Sequence, residues 1–382
     1  MFKSYKYRIY PNKTQTVLLA KTFGCVRYFW NKQVETFNTY NKETDPNLKF
    51  LTSTEIRNEL EWMKEVSAAA IQQKEIDFKE YKQQRFSKNR KKNIGNPKFK
   101  KRSNNQSYRL PNQKFNINDN KIRLEKIGKI KLVMDRLLPE NGKLMSVTIS
   151  KNPSDQYFVS VLVETQTQHL LKTNKEVGID VGLKEFLVQS DNLIIKNPKF
   201  FRNSQTKLAK IQRVHCKKVK GSKRRNKSRL KVCMLHQKIS NQRDWFLHNE
   251  SIRLIRDYDV ICIEDLNVKG MVRNHKLAKS ISDVSWSKFF EMLNYKADWY
   301  GKQVVKIGRF EPTSKKCSDC GWINHNLTLE DRVFICQECG LELDRDLNAA
   351  INIKALGVDN AIRTVRDEVT SFGEAFKSEL VL

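Results

Sequence analysis

The sequence predicts a multidomain α/β protein. Three observations carry the prediction: a helical period from Lys13 to about Phe86, short alternating strands from Ser107 to Glu164, and strands alternating with helices from Val177 onward. At 382 residues the chain is long enough to bury a full core and to split into two or three lobes.

The opening "KSYKYRIYP" alternates polar with aromatic or apolar residues and stops at Pro11, which predicts an edge strand. "TVLLAKTFGCVRYFWNKQVETFN" and "STEIRNELEWMKEVSAAAIQQKEIDFKEYKQQRF" then space their apolar residues at three and four, the period of a helix with one buried face. "SKNRKKNIGNPKFKKRSNNQ" is too polar and basic to pack and reads as a loop. The strand-rich stretch follows, and the N-terminal strand is expected to pair with it. Past the polar linker "TQTQHLLKTNKE", "VGIDVGLKEFLVQSDN" is an apolar strand, a glycine turn and a second strand. A basic helical segment spans Gln205 to Gln237. "DWFLHNESIRLIRDYDVICIEDL" and "SWSKFFEMLNYKADWYGKQVVKI" each run from a helix into a strand, which implies some parallel pairing. From Leu356 the chain carries five acids against three bases and reads as a loose tail.

Lys and Arg number 72 against 42 Asp and Glu, a formal charge of +30. Self-repulsion on that scale calls for a polyanionic partner. No long apolar run or strongly apolar amphipathic helix points to a membrane, and "MFKSYKYRIYPNK" has no apolar core for a secretory signal. Nucleic acid fits better, because the cations are interleaved with Tyr, Phe and Trp that can stack on bases. Four of the eight cysteines form two Cys-x-x-Cys pairs, while Cys25, Cys216, Cys233 and Cys262 are scattered. That usage suits a metal site in a reducing compartment, so a cytoplasmic protein is expected; the family resemblance set out below adds that it is bacterial and nucleoid-associated.

Cys317, Cys320, Cys336 and Cys339 follow C-x2-C-x15-C-x2-C, with a glycine directly after each pair. Two thiolates from each tight turn complete a tetrahedral set with no open position, which predicts a structural zinc ribbon. Four thiolates also suit an iron–sulfur cluster, but nothing else in the chain hints at electron transfer. Three acids stand out near the ends of predicted elements. Asp180 lies between Ile179 and Val181 on a core strand, Glu264 ends the apolar run "DVICIE", and Asp346 opens the helix "DLNAAINI". Singly each is as well explained as a helix cap or a strand end, and either Asp344 or Asp346 could be the cap. Together, in a basic α/β domain, they could converge on two Mg²⁺ ions and support phosphodiester cleavage. No Ser–His pairing, glycine-rich phosphate loop or HExxH competes with them, and no small-molecule cofactor is expected.

"GIDVGL", "ICIEDLNVKGM", "PTSKKCSDCG", "CQECG" and "DRDLNAAINI", in this order, resemble the OrfB/TnpB proteins of bacterial insertion sequences, compact relatives of the type V CRISPR effectors. "YKYRIYPNKTQ", "VRYFWNK", "GNPKFK" and "SWSKFFEMLNYKADWYG" extend the likeness over nearly the whole chain. The resemblance implies an RNase H-like (RuvC) nuclease domain with an inserted zinc ribbon, a β-barrel wedge domain and a helical recognition lobe. The implied boundaries are a wedge strand over 1–11, the recognition lobe with its basic loop over 12–106, and the rest of the wedge barrel over 107–170. The nuclease domain then takes 171–310, the ribbon 311–342, the last nuclease helix 343–356 and a flexible tail 357–382. Also implied are a guide RNA from the element's end and Mg²⁺-dependent cutting of matching double-stranded DNA beside a short adjacent motif.

Carried over, the catalytic acids and magnesium ligands fall on Asp180, Glu264 and Asp346, with Asp265 and Asp344 as near misses. All three acids are present. A non-cleaving RNA-guided repressor and a DNA transposase remain as alternatives, since fold alone does not fix function. A guide–target duplex would be gripped through its backbone, with sequence read by base pairing. Lys91, Lys92, Lys98, Lys100, Lys223, Arg224 and Arg225 suit phosphate contact. Arg27, Tyr28, Asn31, Gln72 and Gln73 are candidate contacts to the DNA duplex, because Gln can read adenine edges.

Overall fold

The structure is a computed structural model and describes residues 1–39, 49–87, 94–103, 105–167, 169–328 and 330–379, with side chains as far as 362. The chain divides into two compact units, Met1–Gln166 and Thr167–Leu382.

The first unit begins with β1 (Phe2–Tyr10), α1 (Lys13–Thr39), α2 (Ser53–Glu59) and α3 (Ala68–Phe86). Strands β2 (Gln106–Pro111), β3 (Phe115–Asn118), β4 (Lys121–Leu124), β5 (Gly128–Val133), β6 (Lys143–Lys151) and β7 (Tyr157–Glu164) follow. All seven strands form one antiparallel sheet in the order β2-β6-β7-β1-β5-β4-β3. β1 is therefore central and not an edge strand: it pairs with β7 from Phe2↔Glu164 to Ile9↔Tyr157, and with β5 from Arg8↔Val133 to Tyr10↔Lys131. Pro11 misled the expectation because it sits just past the last paired residue, where its missing N–H costs no ladder bond. The sheet is a half-barrel. Its ends, β2 and β3, are consecutive in the chain but share no ladder among the described residues, so the barrel that the resemblance implied is present as an open half-barrel.

Alternation does the packing here. Tyr7, Ile9, Val159, Val161 and Val163 are buried with Leu19, Phe23 and Val26 of α1. A second cluster, Cys25, Phe29, Ile56, Met63, Val66 and Ile71, joins another side of α1 to α2 and α3. The long predicted second helix is broken. Leu60 adopts an extended conformation, Glu61–Glu65 form a 3-10 turn, and α3 starts only after Ser67. Thr52 and Glu55 form a capping box at the start of α2.

The second unit contains β8 (Glu176–Asp180), β9 (Glu185–Gln189), β10 (Ile194–Lys196), α4 (Phe200–Cys216), α5 (Lys223–Asp257) and β11 (Val260–Glu264). After these come α6 (Val268–Met271), α7 (Ala278–Val284), α8 (Trp286–Tyr300), β12 (Gln303–Ile307), β13 (Val333–Ile335), β14 (Glu342–Asp344) and α9 (Arg345–Glu379). Its main sheet runs β10-β9-β8-β11-β12, with β8, β11 and β12 parallel and the other two antiparallel. Val177, Ile179, Ile261 and Ile263 pack on Leu254, Ile255, Phe289 and Leu293 of α5 and α8. The opposite face carries α9 at close range: a Cβ on Gly178 would collide with the backbone of Ala350 and Lys354. Gly357 meets Cys262 in the same way. α9 continues well past Leu356, where a loose tail was expected. Val358, Ala361, Ile362, Val365, Val369 and Phe372 keep a helical period that the tail's charge count obscured. No helix among the described residues is long and apolar enough to cross a membrane.

Candidate active site and zinc ribbon

Asp180 is the last residue of β8 and Glu264 the last of β11, so both stand at the carboxyl ends of adjacent parallel strands. Ligands of open α/β sheets gather at such ends. Side chains alternate along a strand, so Asp180 and Glu264 share the face of Gly178 and Cys262, which is the face α9 covers. Asp346 lies in the first turn of α9. The three carboxylates feel one another: burial, then the charges of Glu264 and Asp346, push the Asp180 carboxyl well above its ordinary range. They are not drawn together as tightly as the cysteines, the group whose ligand atoms all lie within 4.8 Å of one another among the described residues.

Neighbouring side chains separate these acids from the near misses. Asp344 accepts from the backbone N–H groups of Asp346 (2.9 Å) and Leu347 (3.2 Å), so it is the N-cap of α9. Asp265 is paired with Arg309, whose Nε also donates to the Asp265 carbonyl at 3.1 Å. Glu264 accepts from the Thr313 hydroxyl at 2.7 Å, and Asp346 lies 3.3 Å from Arg345.

The ribbon follows from two local turns. The Gly321 and Gly340 amides donate to the Cys317 (3.2 Å) and Cys336 (3.1 Å) carbonyls, and both glycines need positive φ, at 82° and 76°. The Cys317 and Cys339 sulfurs are 3.6 Å apart and those of Cys320 and Cys336 3.4 Å apart. A closed four-thiolate set of this kind fits tetrahedral Zn²⁺. Antiparallel β13 and β14 pair beside it.

α9 is fastened to the first knuckle by two buried asparagines. Asn348 donates to the Lys316 carbonyl (2.8 Å) and accepts from the Ser318 N–H (3.0 Å). Asn352 donates to the carbonyls of Thr313 (2.8 Å) and Lys316 (2.7 Å). The ribbon, Thr313 and the helix that carries Asp346 are thus one hydrogen-bonded assembly. Thr313, Arg345, Asn348 and Asn352 were missed as site residues, although all four stand inside quoted motifs. The Asn-x-x-x-Asn spacing, which sets both amides on one helix face, was the available signal.

The candidate nucleic-acid contacts are scattered. Asn31 is occupied internally, donating to the Lys100 carbonyl (3.1 Å) and accepting from its N–H (2.7 Å). Arg27 donates to the Gln106 side chain at 2.7 Å and lines a cleft of ≈ 500 Å³ with Lys100. Tyr28 packs edge-on to Trp62 and Gln72 is exposed, with Gln73 half-buried beside it. Lys98 is exposed, and the Lys100 ammonium sits 4.1 Å from the Trp30 ring centroid. Lys223 and Arg224 are exposed at the start of α5, where Ser222 caps the Arg225 N–H at 3.1 Å. Lys91 and Lys92 lie outside the described residues.

A mixed sheet with acids at its carboxyl ends, braced by a four-cysteine ribbon, defines a class of α/β protein with a candidate metal-dependent site. A family model described as "Cas12f1-like, TNB domain" matches residues 286–353, one described as "Probable transposase" matches 158–275, and a "Helix-turn-helix domain" model matches 1–44. A Streptomyces pristinaespiralis protein named "Putative RNA-guided DNA endonuclease" is 36% identical over 93% of this chain and 89% of its own length. "Putative RNA-guided DNA endonuclease InsQ" of Escherichia coli (strain K12) is 26% identical over 93% of this chain and 92% of its own. Among solved structures, the protein of "Cryo-EM structure of the Cas12f1-sgRNA-target DNA complex" shares the fold with a TM-score of 0.57 at 12% identity, over 93% of this chain and 98% of that one. The chain belongs to the OrfB/TnpB family.

Proposed function

We propose that this protein is an RNA-guided DNA endonuclease of a transposable element, acting in the bacterial cytoplasm. The Thr167–Leu382 unit is read as its RNase H-like, RuvC-type nuclease domain with the zinc ribbon inserted before the last helix. One observation carries the reading: Asp180 and Glu264 end adjacent parallel strands on the face that α9 covers, and Asp346 opens α9. Mutually repelling carboxylates of this kind suit a hard cation that prefers oxygen. Mg²⁺ bound there would supply an activated water and charge stabilisation at the phosphodiester.

Each residue has a share in presenting that site. The Thr313 hydroxyl orients Glu264, Asp344 caps α9 and leaves Asp346 free of that duty, and Arg345 offsets part of the local negative charge. The large cationic excess suits a guide RNA and a DNA target as partners, held by phosphate contacts and by the shape of an A-form duplex. The relatives' names and the fold likeness support the same partners. No catalytic acid is missing, as a repressor without cleavage would allow, and the relatives named RNA-guided DNA endonucleases over nearly the whole chain outweigh the transposase reading that the description of one family model offers.

The test is purification from cells that also carry the element's flanking DNA, with sequencing of the bound RNA. The loaded protein is expected to cut a matching plasmid in Mg²⁺, and Asp180→Ala to cut about 10²- to 10³-fold more slowly, on the order expected when a transition-state charge loses its stabiliser. Guided binding without cutting by the unaltered protein would establish a repressor. No specific RNA would restore the transposase.

A further inference from the structure

α9 runs from Arg345 to Glu379, but only its first part is claimed by the sheet that it covers. Ile353 is buried with Cys262 and Ile307, and Leu356 and Val358 pack beside them. Ile362, one turn further on, belongs to no core cluster and is 47% exposed. From there to Glu379 the helix continues for about 27 Å.

The sequence of this stretch is patterned along the helix. Val358, Ile362, Val365, Val369, Phe372 and Phe376 follow one another at steps of four, three, four, three and four. Such spacing fits the a and d positions of a heptad, with Ile362, Val369 and Phe376 at a. Every b, c and f position from Asn360 to Ser378 is polar or charged, and Glu379 ends the run at d. The apolar positions fall within about 80° of the helix circumference. A helix that covers a globular core carries a wider stripe, about 100° or more, whereas a strict a and d seam is that of a coiled coil.

Charge indicates what the seam meets. From Asp359 to Glu379 the helix holds five acids against three bases, on a chain of formal charge +30. Two copies of the chain repel each other across a cationic surface but not along this helix, and its slight negative excess disfavours nucleic acid. The β-branched Ile362 and Val369 at a favour two strands side by side. In a parallel pair Glu368 of one copy comes to Gly373 of the other, and Arg366 to Ala361, so no like charges meet. A fully overlapped antiparallel pair would set Arg366 against Arg366 and Glu368 against Glu368. The usual obstacle to a short helix is its nucleation, and α9 is already nucleated on the sheet.

We propose that two copies of this protein associate through a parallel coiled coil formed by the part of α9 beyond Val358. Because α9 opens with Arg345 and Asp346, the pair carries two carboxylate sites at the base of one two-helix stalk. The proposal does not depend on the nuclease reading.

Sedimentation of the full-length, RNA-loaded protein gives its mass across a concentration series at about 0.1 and 0.5 M salt. A dimer fraction is expected that rises with concentration and persists at the higher salt, where bridging by nucleic acid weakens. Val365→Asp/Phe372→Asp puts four carboxylates into the seam of a pair and is expected to weaken association on the order of 100-fold or more. Thr364→Asp/Ser371→Asp, with the same charges at c positions, is expected to leave it within about threefold. A monomer at every concentration up to about 100 μM would overturn the proposal, as would a dimer that the seam variant does not weaken.

Should the seam variant fold poorly, oxidation of Val365→Cys decides. In a parallel pair the two d positions face each other, so a disulfide-linked dimer absent from the unaltered protein is expected. A link formed only in a mixture of Val365→Cys and Val369→Cys would refute the parallel arrangement, and no link in either case would refute the seam.

Discussion

Asn352→Ala tests whether the ribbon and the helix that carries Asp346 are mechanically one piece. Asn352 is 5% exposed and its amide donates to two carbonyls, those of Thr313 and Lys316. Lys316 keeps a donor from Asn348, so the alanine variant orphans only the Thr313 carbonyl, on a residue itself 5% exposed. An orphaned buried acceptor costs about 1–3 kcal/mol, and the second lost hydrogen bond adds roughly 0.5–1.5 kcal/mol. A central value of about 3 kcal/mol raises local opening roughly 100-fold, since each 1.4 kcal/mol is tenfold. Native-state hydrogen exchange of the segment 313–322 reads this directly, because the Cys317 and Ser318 amides are bonded to Trp322 and Asn348. Exchange of that segment should accelerate by about that factor, while β6 and β7, in the other unit, keep their protection. Guided cleavage should also fall, because Thr313 holds Glu264. Acceleration under about threefold would refute the brace.

Three further outcomes follow from the same geometry. Asp344→Ala should lower stability by about 0.5–2 kcal/mol through loss of the cap yet retain measurable cleavage, whereas Asp346→Asn should abolish cleavage at little cost in thermal unfolding. Equal loss of cutting in both would refute this division of roles. Gly178→Ala should destabilise the second unit by about 1–3 kcal/mol or more, visible as a lower urea midpoint, because α9 must back away from β8; an unchanged midpoint would contradict the contact. Burial alone would raise the Asp259 carboxyl, but the Lys302 ammonium and the Thr173 and Asn174 N–H groups outweigh it and hold the pKa at about 2. A depressed folded pKa gives stability that is present above the unfolded value of about 3.9 and is lost as pH falls toward 2. Asp259→Asn should flatten the loss of stability over that window, as read by denaturation at pH 2–5, and an unaltered pH profile would show that the pair contributes nothing.

Much of the site could be read from the chain because its signals are local. The cysteine spacing specifies two turns whose glycines the backbone requires, and an acid at the end of an apolar run is conspicuous wherever it occurs. The choice between Asp344 and Asp346 turns on where the helix starts, which decides which carboxylate bonds the N–H groups of its first turn. The asparagine brace was hidden because its partners lie 30 to 39 residues away in sequence. Distance also explains the errors of fold. The position of β1 is set by partners at the far end of its unit, and periodicity alone carries no information about an extended residue such as Leu60. Asn31, placed among the candidate DNA contacts, is taken up by the Lys100 backbone, a contact across 69 residues.

The central place of β1 bears on how the protein is made. Ser4 and Ser160 face each other across the sheet, yet stand 156 residues apart. At about 5–20 residues per second a ribosome needs on the order of 10–30 s to deliver the partner strand. Until β5 emerges β1 has no strand partner, and until β7 emerges one of its edges stays unpaired, while α1, next to it in sequence, can already form. A chaperone that shelters nascent chains would find its client there, and a message cut short before β7 would leave a sheet lacking its middle.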